Sequence, residues 1–456
     1  MNEPIDVQGV WWLPETPQHK VAGWLTYDME NGGELRLAGS LRAPEWVENR
    51  REGKVIQRFI REPERDQLIY PRIHGQSGRR IFHLDDSFRI KIDRHLCRED
   101  DSAEKIHVNW LLTGAWFDGT GPVEFDKAIV RFQHLTDWVD HTGLQIDSAA
   151  TPDAPFAVAT ATTLPPFRAA IDGGDLVVWQ QLSTSGDGRN DFILKQNWAL
   201  TISATETRPL DFFTDRVSDF QDLLTIATGK VANIETFHFT HNDVRQLSLA
   251  GTPIGNVKEK LAYYSRWSNR DKHDDRLSPH AMVFTFDDLG GIDGVQRWMQ
   301  FAASYRSELS RVMATRYNDQ MFLEDRVTNC VAALESFDRT RRRDADQGTY
   351  LVERLRNCVS FAGAPFTDVL GGESVEDWTK RAKDHRNTLG HHKDAFRNDT
   401  GIIERELGDQ LQWLAALCFL RHADAARVVF DKVGSDSNFK WIADRASARR
   451  QSQRKV

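Results

Sequence analysis

The chain has 456 residues, 40% hydrophobic and 28% charged, with glycine and proline at ordinary levels; that is enough for two or three domains, each with its own core, and unlike a disordered or fibrous sequence. A net charge of −8 argues against a protein that coats nucleic acid non-specifically. No apolar run of about 18 residues is present to cross a membrane, and Met1 to Gln8 lacks the basic-then-apolar pattern of a signal peptide. Four cysteines, Cys97, Cys330, Cys358 and Cys418, lie far apart without a CxxC. They disfavour a zinc knuckle or a disulfide framework and predict reduced thiols in a cytoplasmic protein.

The charge is uneven. From Gly291 onward the chain holds 27 Lys+Arg against 24 Asp+Glu, while the first 290 residues hold 32 against 43. An acidic front and a mildly basic back fit a phosphate-handling C-terminal module, although solvated faces without any preference would give the same balance.

In chain order, the front half predicts strands. Short alternating segments fall between turn signals at Val21–Tyr27, Glu34–Gly39, Lys54–Ile60, Arg79–His83, Phe88–Ile92 and Lys105–Leu111. They continue at Ala128–Gln133, Phe156–Thr163, Asp175–Gln181 and Asn197–Ser203, with Asn31-Gly32-Gly33 as a tight-turn signal. The tryptophans crowded here, Trp11 and Trp12 among them, read as core residues of packed sheets. One helix interrupts at Asp211–Thr228, with Gly229 as its cap, and strand-like pieces resume at Ile234–Thr240 and Met282–Phe286.

After Gly290-Gly291 the apolar period becomes 3.6. Val295 to Met313 marks one helix, Leu323 to Phe337 a second, Leu351 to Val359 a third and Asp377 to Leu389 a fourth. A fifth runs from about Ile402 to Val429. Five helices with short polar loops make an all-α bundle. The expected fold class is thus α+β and multidomain: a β-rich, sandwich-like region over 1–288, of one or two subdomains, a helical bundle over 291–435, and a basic, flexible tail over 445–456.

The fourth helix ends in Arg386-Asn387-Thr388-Leu389-Gly390-His391. An arginine can hold a phosphate through a planar fork of donors and stabilise charge on its oxygens. A histidine titrates near neutrality, so it can take a proton from a ribose 2′-hydroxyl or return one to a leaving group. Asn387 can hydrogen-bond the ligand or fix the His391 tautomer. In an unbroken helix positions five apart diverge by about 140°, so convergence needs a break, which Gly390 can supply as a C-cap. The spacing alone is weak, since an Arg and a His at a helix end also favour the negative end of the helix dipole. Lys380, Arg381, Lys383, His385, His392 and Lys393 add polar and cationic surroundings.

Two further matches lie around the motif. A helix ending in Leu334-Glu335-Ser336-Phe337, then one ending in R-N-x3-G-H, then a long apolar last helix, resembles the HEPN superfamily, whose nuclease motif is R-N-x4-H. Gly9-Val10-Trp11-Trp12-Leu13-Pro14, followed by Gly23-Trp24-Leu25-Thr26-Tyr27 and Leu35-Arg36-Leu37-Ala38-Gly39, resembles the N-terminal domain of ApeA-type anti-phage proteins, in which a β-rich domain precedes an Apea-like HEPN domain. The resemblance covers nearly the whole chain. It implies a metal-independent endoribonuclease without a cofactor, one that arrests infected cells, answers a phage-derived trigger and acts as at least a dimer through its HEPN bundle. His391 would be the acid/base, Arg386 the phosphate and transition-state ligand, and Asn387 a positioning group, in a site shared by two copies. Attack by the 2′-hydroxyl would leave a 2′,3′-cyclic phosphate. The sequence holds no carboxylate cluster suited to Mg²⁺, in keeping with that chemistry.

Lys383, His392, Lys393, Arg341 and Arg342 are candidate RNA contacts, the last two within Arg339–Arg343, read as a loop after the second helix. Asp85-Asp86 and Asp287-Asp288 read as turn acids, Glu335 as a structural hydrogen-bonder to a neighbouring helix and His385 as a solvated side chain. Gly371-Gly372 lacks the lysine and helix start of a P-loop. The alternative function is a non-catalytic sensor whose HEPN bundle serves dimerisation.

Overall fold

A computed structural model of the chain describes residues 4–28, 31–42, 46–51, 54–59, 68–93, 103–119, 121–148, 157–248, 251–266, 277–318, 320–343, 350–390 and 400–453. Strands come first: β1 (Ile5–Trp12), β2 (Val21–Asp28), β3 (Gly32–Leu37), β4 (Trp46–Arg51), β5 (Lys54–Phe59), β6 (Ile69–Ser77), β7 (Arg80–Asp93), β8 (Ala103–Thr113) and β9 (Glu124–Phe132). A short helix α1 (Leu135–Val139) precedes β10 (Leu144–Ser148), β11 (Ala157–Ala161), β12 (Phe167–Ile171), β13 (Gly174–Ser185) and β14 (Ile193–Pro209). Helix α2 (Leu210–Thr228) leads to β15 (Ile234–Thr240), β16 (Arg245–Leu247), β17 (Pro253–Lys258) and β18 (Leu261–Ser265). Helices then follow without interruption by strands: α3 (Phe286–Leu289), α4 (Gly291–Tyr317), α5 (Leu323–Arg342), α6 (Leu351–Ala362), α7 (Ala364–Val369), α8 (Val375–Gly390), α9 (Thr400–His422), α10 (Arg427–Ser435) and α11 (Ser437–Gln453). Among the described residues no helix is long and apolar enough to cross a membrane.

The expected order, β-rich then helical, is what the structure shows. The chain divides into two compact units that alternate along the sequence: Met1–Val130, Ala204–Phe213 and Ile234–Arg270 in one, Arg131–Ser203, Thr214–Asn233 and Asp271–Val456 in the other.

In the first unit β8 pairs with β3, followed by β2, β1, β6 and β7, and β7 pairs back onto β8. Each of these pairings is antiparallel, and the sandwich-like packing expected from the alternation is realised as a closed barrel. Closure leaves these strands no open edge along the ring. The two-residue period points Leu25, Leu35, Phe82, Leu84, Ile106 and Val108 into a dry interior. Glu34 faces outward and pairs with Arg36 and Lys105.

Trp11 is fully buried opposite Gly75, its register partner on β6. A Cβ placed on Gly75 would lie 2.1 Å from the Trp11 ring, so the glycine is there to make room for the indole. Two buried carboxylates on the barrel strands are each held by several donors. Glu104, 1% exposed, accepts from Tyr70 Oη and Arg89 Nε at 2.5 Å each and from Leu41 N and Ser40 Oγ at 3.1 Å. Arg72 grips Asp85 with two bonds of 2.9 and 2.8 Å and donates to the carbonyls of Asp118, Gly119 and Gly121. Burial works to raise the Asp85 carboxyl, but hydrogen bonds from Arg72 and His83 hold it below the usual carboxylate range.

In the second unit β12, β13 and β14 lie side by side, and β10 pairs with β11. α9 is apolar all round from Leu407 to Leu420 and packs against α4, α5, α6, α7 and α11. Cys330, Cys358 and Cys418 are free, buried thiols in that core; Cys97 lies outside the described residues. α4 is fastened to α2: Trp298 Nε1 donates to Asp219 O at 2.7 Å, and Arg306 reaches Asp219 at 2.6 Å and Asp215 at 2.6 Å. Nearby, Tyr317 Oη donates to Asp222, whose carboxyl burial pushes up to about 8 against the effect of that bond.

Several sequence expectations are corrected. Arg79–His83 and Phe88–Ile92 are one strand, β7, because pairing to β6 and β8 continues in one register from Asp85 to Ser87 instead of turning back; the register to β8 shifts only between Arg89 and Lys91. Asp86 takes the left-handed φ of 50° and its carbonyl accepts from Asn109 Nδ2 at 2.7 Å, while buried Asp85 pairs with Arg72. Met282–Phe286 is no strand: Thr285 and Asp288 form a capping box that starts α3. The single helix expected to Val429 stops at His422, with Asp424 at φ 53°, and α10 begins anew. The tail read as flexible from Arg445 is helical to Gln453, because Arg449 pairs with buried Glu406 at 2.8 Å.

Gly75→Ala should lower the stability of the chain by about 1–3 kcal/mol, from overpacking against Trp11, as measured by chemical denaturation. Asp222 predicts a pH effect of definite sign. Its folded carboxyl is raised above its unfolded value, so its stabilisation is complete at low pH and is lost as pH rises towards about 8. The loss approaches roughly 1 kcal/mol per pH unit in that window. Asp222→Asn, which keeps an acceptor for Tyr317, should flatten the stability–pH curve between pH 6 and 8 (the window is about two units below the raised value); an unchanged slope would exclude Asp222 as its source.

Candidate functional site

Helix α8 carries the motif and is fixed along one face. Ser374 caps it, accepting from Asp377 N at 3.0 Å and donating to Asp377 Oδ2 at 2.6 Å. Trp378, Ala382 and His385 follow at helical spacing and are all buried. Trp378 Nε1 donates to Gln410 Oε1 at 2.8 Å, and Gln410 Nε2 donates to Val369 O at 3.0 Å, which ties α8 to α9 and α7. Arg381 donates to Glu373 at 2.7 Å and to Gln410 at 3.2 Å. Arg450 lies 3.3 Å from Glu373, so α11 closes the same network from its C-terminal turns.

His385, expected as solvated, is 8% exposed, with Nε2 3.1 Å from Glu404 of α9. Its position three residues past Ala382 puts it on the inward face, which periodicity could have indicated. Arg386, one residue further, is exposed. Its Nη1 lies 3.4 Å from Asn387 Oδ1, and among the described residues no carboxylate pairs with it. Asn387 is half-buried beside it. The guanidinium therefore keeps its fork of donors for an external anion while its neighbour restricts its swing. α8 is described as far as Gly390; His391, His392 and Lys393 lie outside the described residues.

Lys383 is half-buried, 3.5 Å from Asp384. Arg341 and Arg342 belong to the last turn of α5 rather than to a loop. Arg341 donates to buried Asp338 at 2.9 Å and lies over the Phe361 ring at 4.4 Å, so it is held by the fold; Arg342 is exposed. Asp338 also accepts from Asn357 at 3.1 Å and faces fully buried Arg354 at 3.8 Å, a cluster that sequence reading missed because its members come from two helices. Glu335 pairs with Arg339 on its own helix at 3.5 Å, not across to another. Asp288 caps α3 and pairs with Lys432 at 2.7 Å; Asp287 lies 3.0 Å from His141.

The anchoring of α8 converges on Gln410. Gln410→Ala would leave the Trp378 indole N–H and the Val369 carbonyl buried without partners, and should cost about 2–4 kcal/mol of unfolding free energy measured in urea.

Residues 6–298, well over half of the chain, match the ApeA N-terminal domain 1 family. The matched stretch ends within α4, so α5 to α11 and Arg386 lie beyond it. No curated protein and no solved structure matches the chain. The chain belongs to the ApeA N-terminal domain 1 family, and that membership points towards anti-phage defence.

Proposed function

We propose that this protein is an endoribonuclease of the HEPN type that acts in anti-phage defence without a metal ion, at a site completed by a second copy of the chain. The observation that carries the reading is Arg386: an exposed guanidinium with no carboxylate partner among the described residues, on a helix anchored through Trp378 and Arg381, with Asn387 beside it and His391 next in the motif.

The chemistry needs little more. One imidazole takes the proton from a ribose 2′-hydroxyl, and the oxygen attacks the adjacent phosphorus. The 5′-oxygen leaves with a proton from a second imidazole, giving a 2′,3′-cyclic phosphate and a 5′-hydroxyl. Arg386 binds the phosphate and meets the charge that grows on its non-bridging oxygens. Asn387 orients Arg386 or the histidine. Lys383, His392, Lys393 and Arg342 would draw the RNA backbone towards the site, whereas Arg341 is committed to Asp338. Two copies supply the two imidazoles, so a monomer would hold half of the machinery.

Purified protein should cleave RNA in EDTA and leave 2′,3′-cyclic ends. His391→Ala and Arg386→Ala should each slow cleavage by about 100-fold or more, with melting temperatures unchanged. Cleavage that survives His391→Ala, or that depends on Mg²⁺, would overturn this mechanism.

A further inference from the structure

The second unit contains a cleft of about 690 Å³ that the ribonuclease reading does not use. Its walls come from the end of α2, the end of α4, the start of α5, the middle of α9 and the start of α11. Pockets of this size hold small organic ligands of nucleotide dimensions.

Its charge is unbalanced. Arg316, Arg326, Arg405 and Lys230 line it, against Asp409 and Asp436. Arg316 makes no ion pair or hydrogen bond among the described residues; its guanidinium rests over the Trp413 ring, 5.7 Å from the centroid. Arg326 approaches Asp409 only to 3.5 Å, and its Nε is buried without a hydrogen-bond partner. Arg405 and Lys230 are exposed and unpaired among the described residues. Asp409 is thus one carboxylate facing Arg326, Arg405, Arg445 and Arg316, and burial raises its carboxyl above the usual range against their pull. Burial likewise disfavours the charged form of Arg316, with Arg326 adding repulsion. Crowded, half-desolvated guanidiniums with unused donors are costly until an anion enters.

The aromatic lining adds a second preference. Trp441 lines the cleft and keeps 47% of its surface exposed; Arg445 lies over one face of its ring at 4.4 Å, so a planar ligand would meet the indole at its other face or edge. Gln412, fixed by its bond to Thr315 at 2.6 Å, stiffens the floor beside Trp413. Guanidinium forks match the oxygens of phosphates as they do those of carboxylates, and indole rings stack on bases. We propose that this cleft binds a nucleoside phosphate, its phosphate held by Arg316 and Arg326 and its base against Trp441.

The cleft is lined by none of the motif residues, so the test requires no RNA cleavage and is independent of the ribonuclease reading. Full-length protein is titrated with AMP, adenosine and inorganic phosphate by calorimetry, with tryptophan fluorescence as a second signal. AMP should bind and quench fluorescence, and adenosine and inorganic phosphate should each bind at least about tenfold more weakly, because each keeps only half of the contacts. Arg316→Ala should weaken AMP about tenfold or more, and Trp441→Ala about tenfold while leaving the weak binding of phosphate alone. Arg405→Ala, at an exposed position that the fold does not need, should weaken AMP by about threefold and serves as the decisive variant if Arg316→Ala melts early. The proposal is overturned if AMP shows neither heat nor quenching at millimolar concentration. It is also overturned if AMP affinity is unchanged in Arg405→Ala and in a folded Arg316→Ala, or if an RNA oligonucleotide binds at these residues while AMP does not.

Discussion

A helix that is apolar on every face must be enclosed, and the helical part of this chain is arranged to enclose α9. Leu407, Leu411, Leu414 and Leu417 line one face and are fully buried, and Ala415, Ala416, Phe419 and Leu420, on the other faces, are buried as well. The few polar side chains on α9 then cannot find water and must be matched by neighbours. Gln410 is matched by Trp378 of α8 and the Val369 carbonyl of α7, Gln412 by Thr315 of α4, and Glu406 by Arg449 of α11. Each such bond fixes the rotation and height of another helix against α9, which non-directional apolar contact alone would leave free to slide. The placement of Arg386 is a consequence: α8 is set by Trp378, Arg381 and His385, and the next residue round the helix is turned outward.

The barrel solves the same problem with charge. Glu104 and Asp85 are buried carboxylates on the strands of a closed sheet, and each is held by donors from neighbouring strands. Removing one partner of such a group leaves a buried charge, which typically costs about 3–5 kcal/mol, so these clusters bind the strands in one register even where apolar pairs would tolerate a shift.

The sequence announced the change from strands to helices at Gly290-Gly291, because periods of 2 and 3.6 are both strong there, and it announced the exposed arginine at a helix end. Both follow from local pattern. What it hid was set by partners distant in the chain. β7 looked like two strands because Asp85-Asp86-Ser87 has turn composition, and only Arg72 and Asn109 make that composition fit a strand. The last helix looked like a frayed tail because its arginines have no apolar rhythm; Glu406 and Glu373 give them a reason to fold. His385 has the composition of a solvated neighbour of the motif, although its spacing from Trp378 and Ala382 puts it on their face. The basic cleft was invisible for the same reason as the Asp338 cluster: its arginines come from α4, α5 and α9, and no window of sequence contains them together.

The polypeptide passes between its two compact units five times, at 130/131, 203/204, 213/214, 233/234 and 270/271. Three segments of each unit are therefore separated by stretches of the other, and no single break in the chain sorts the residues into their own unit. A protease nick near residue 290, where the apolar period changes, would leave β12 and β13 on a different fragment from α4 to α11. Each unit is thus assembled from stretches distant in the chain, and strands and helices of the second unit come from both sides of residue 290.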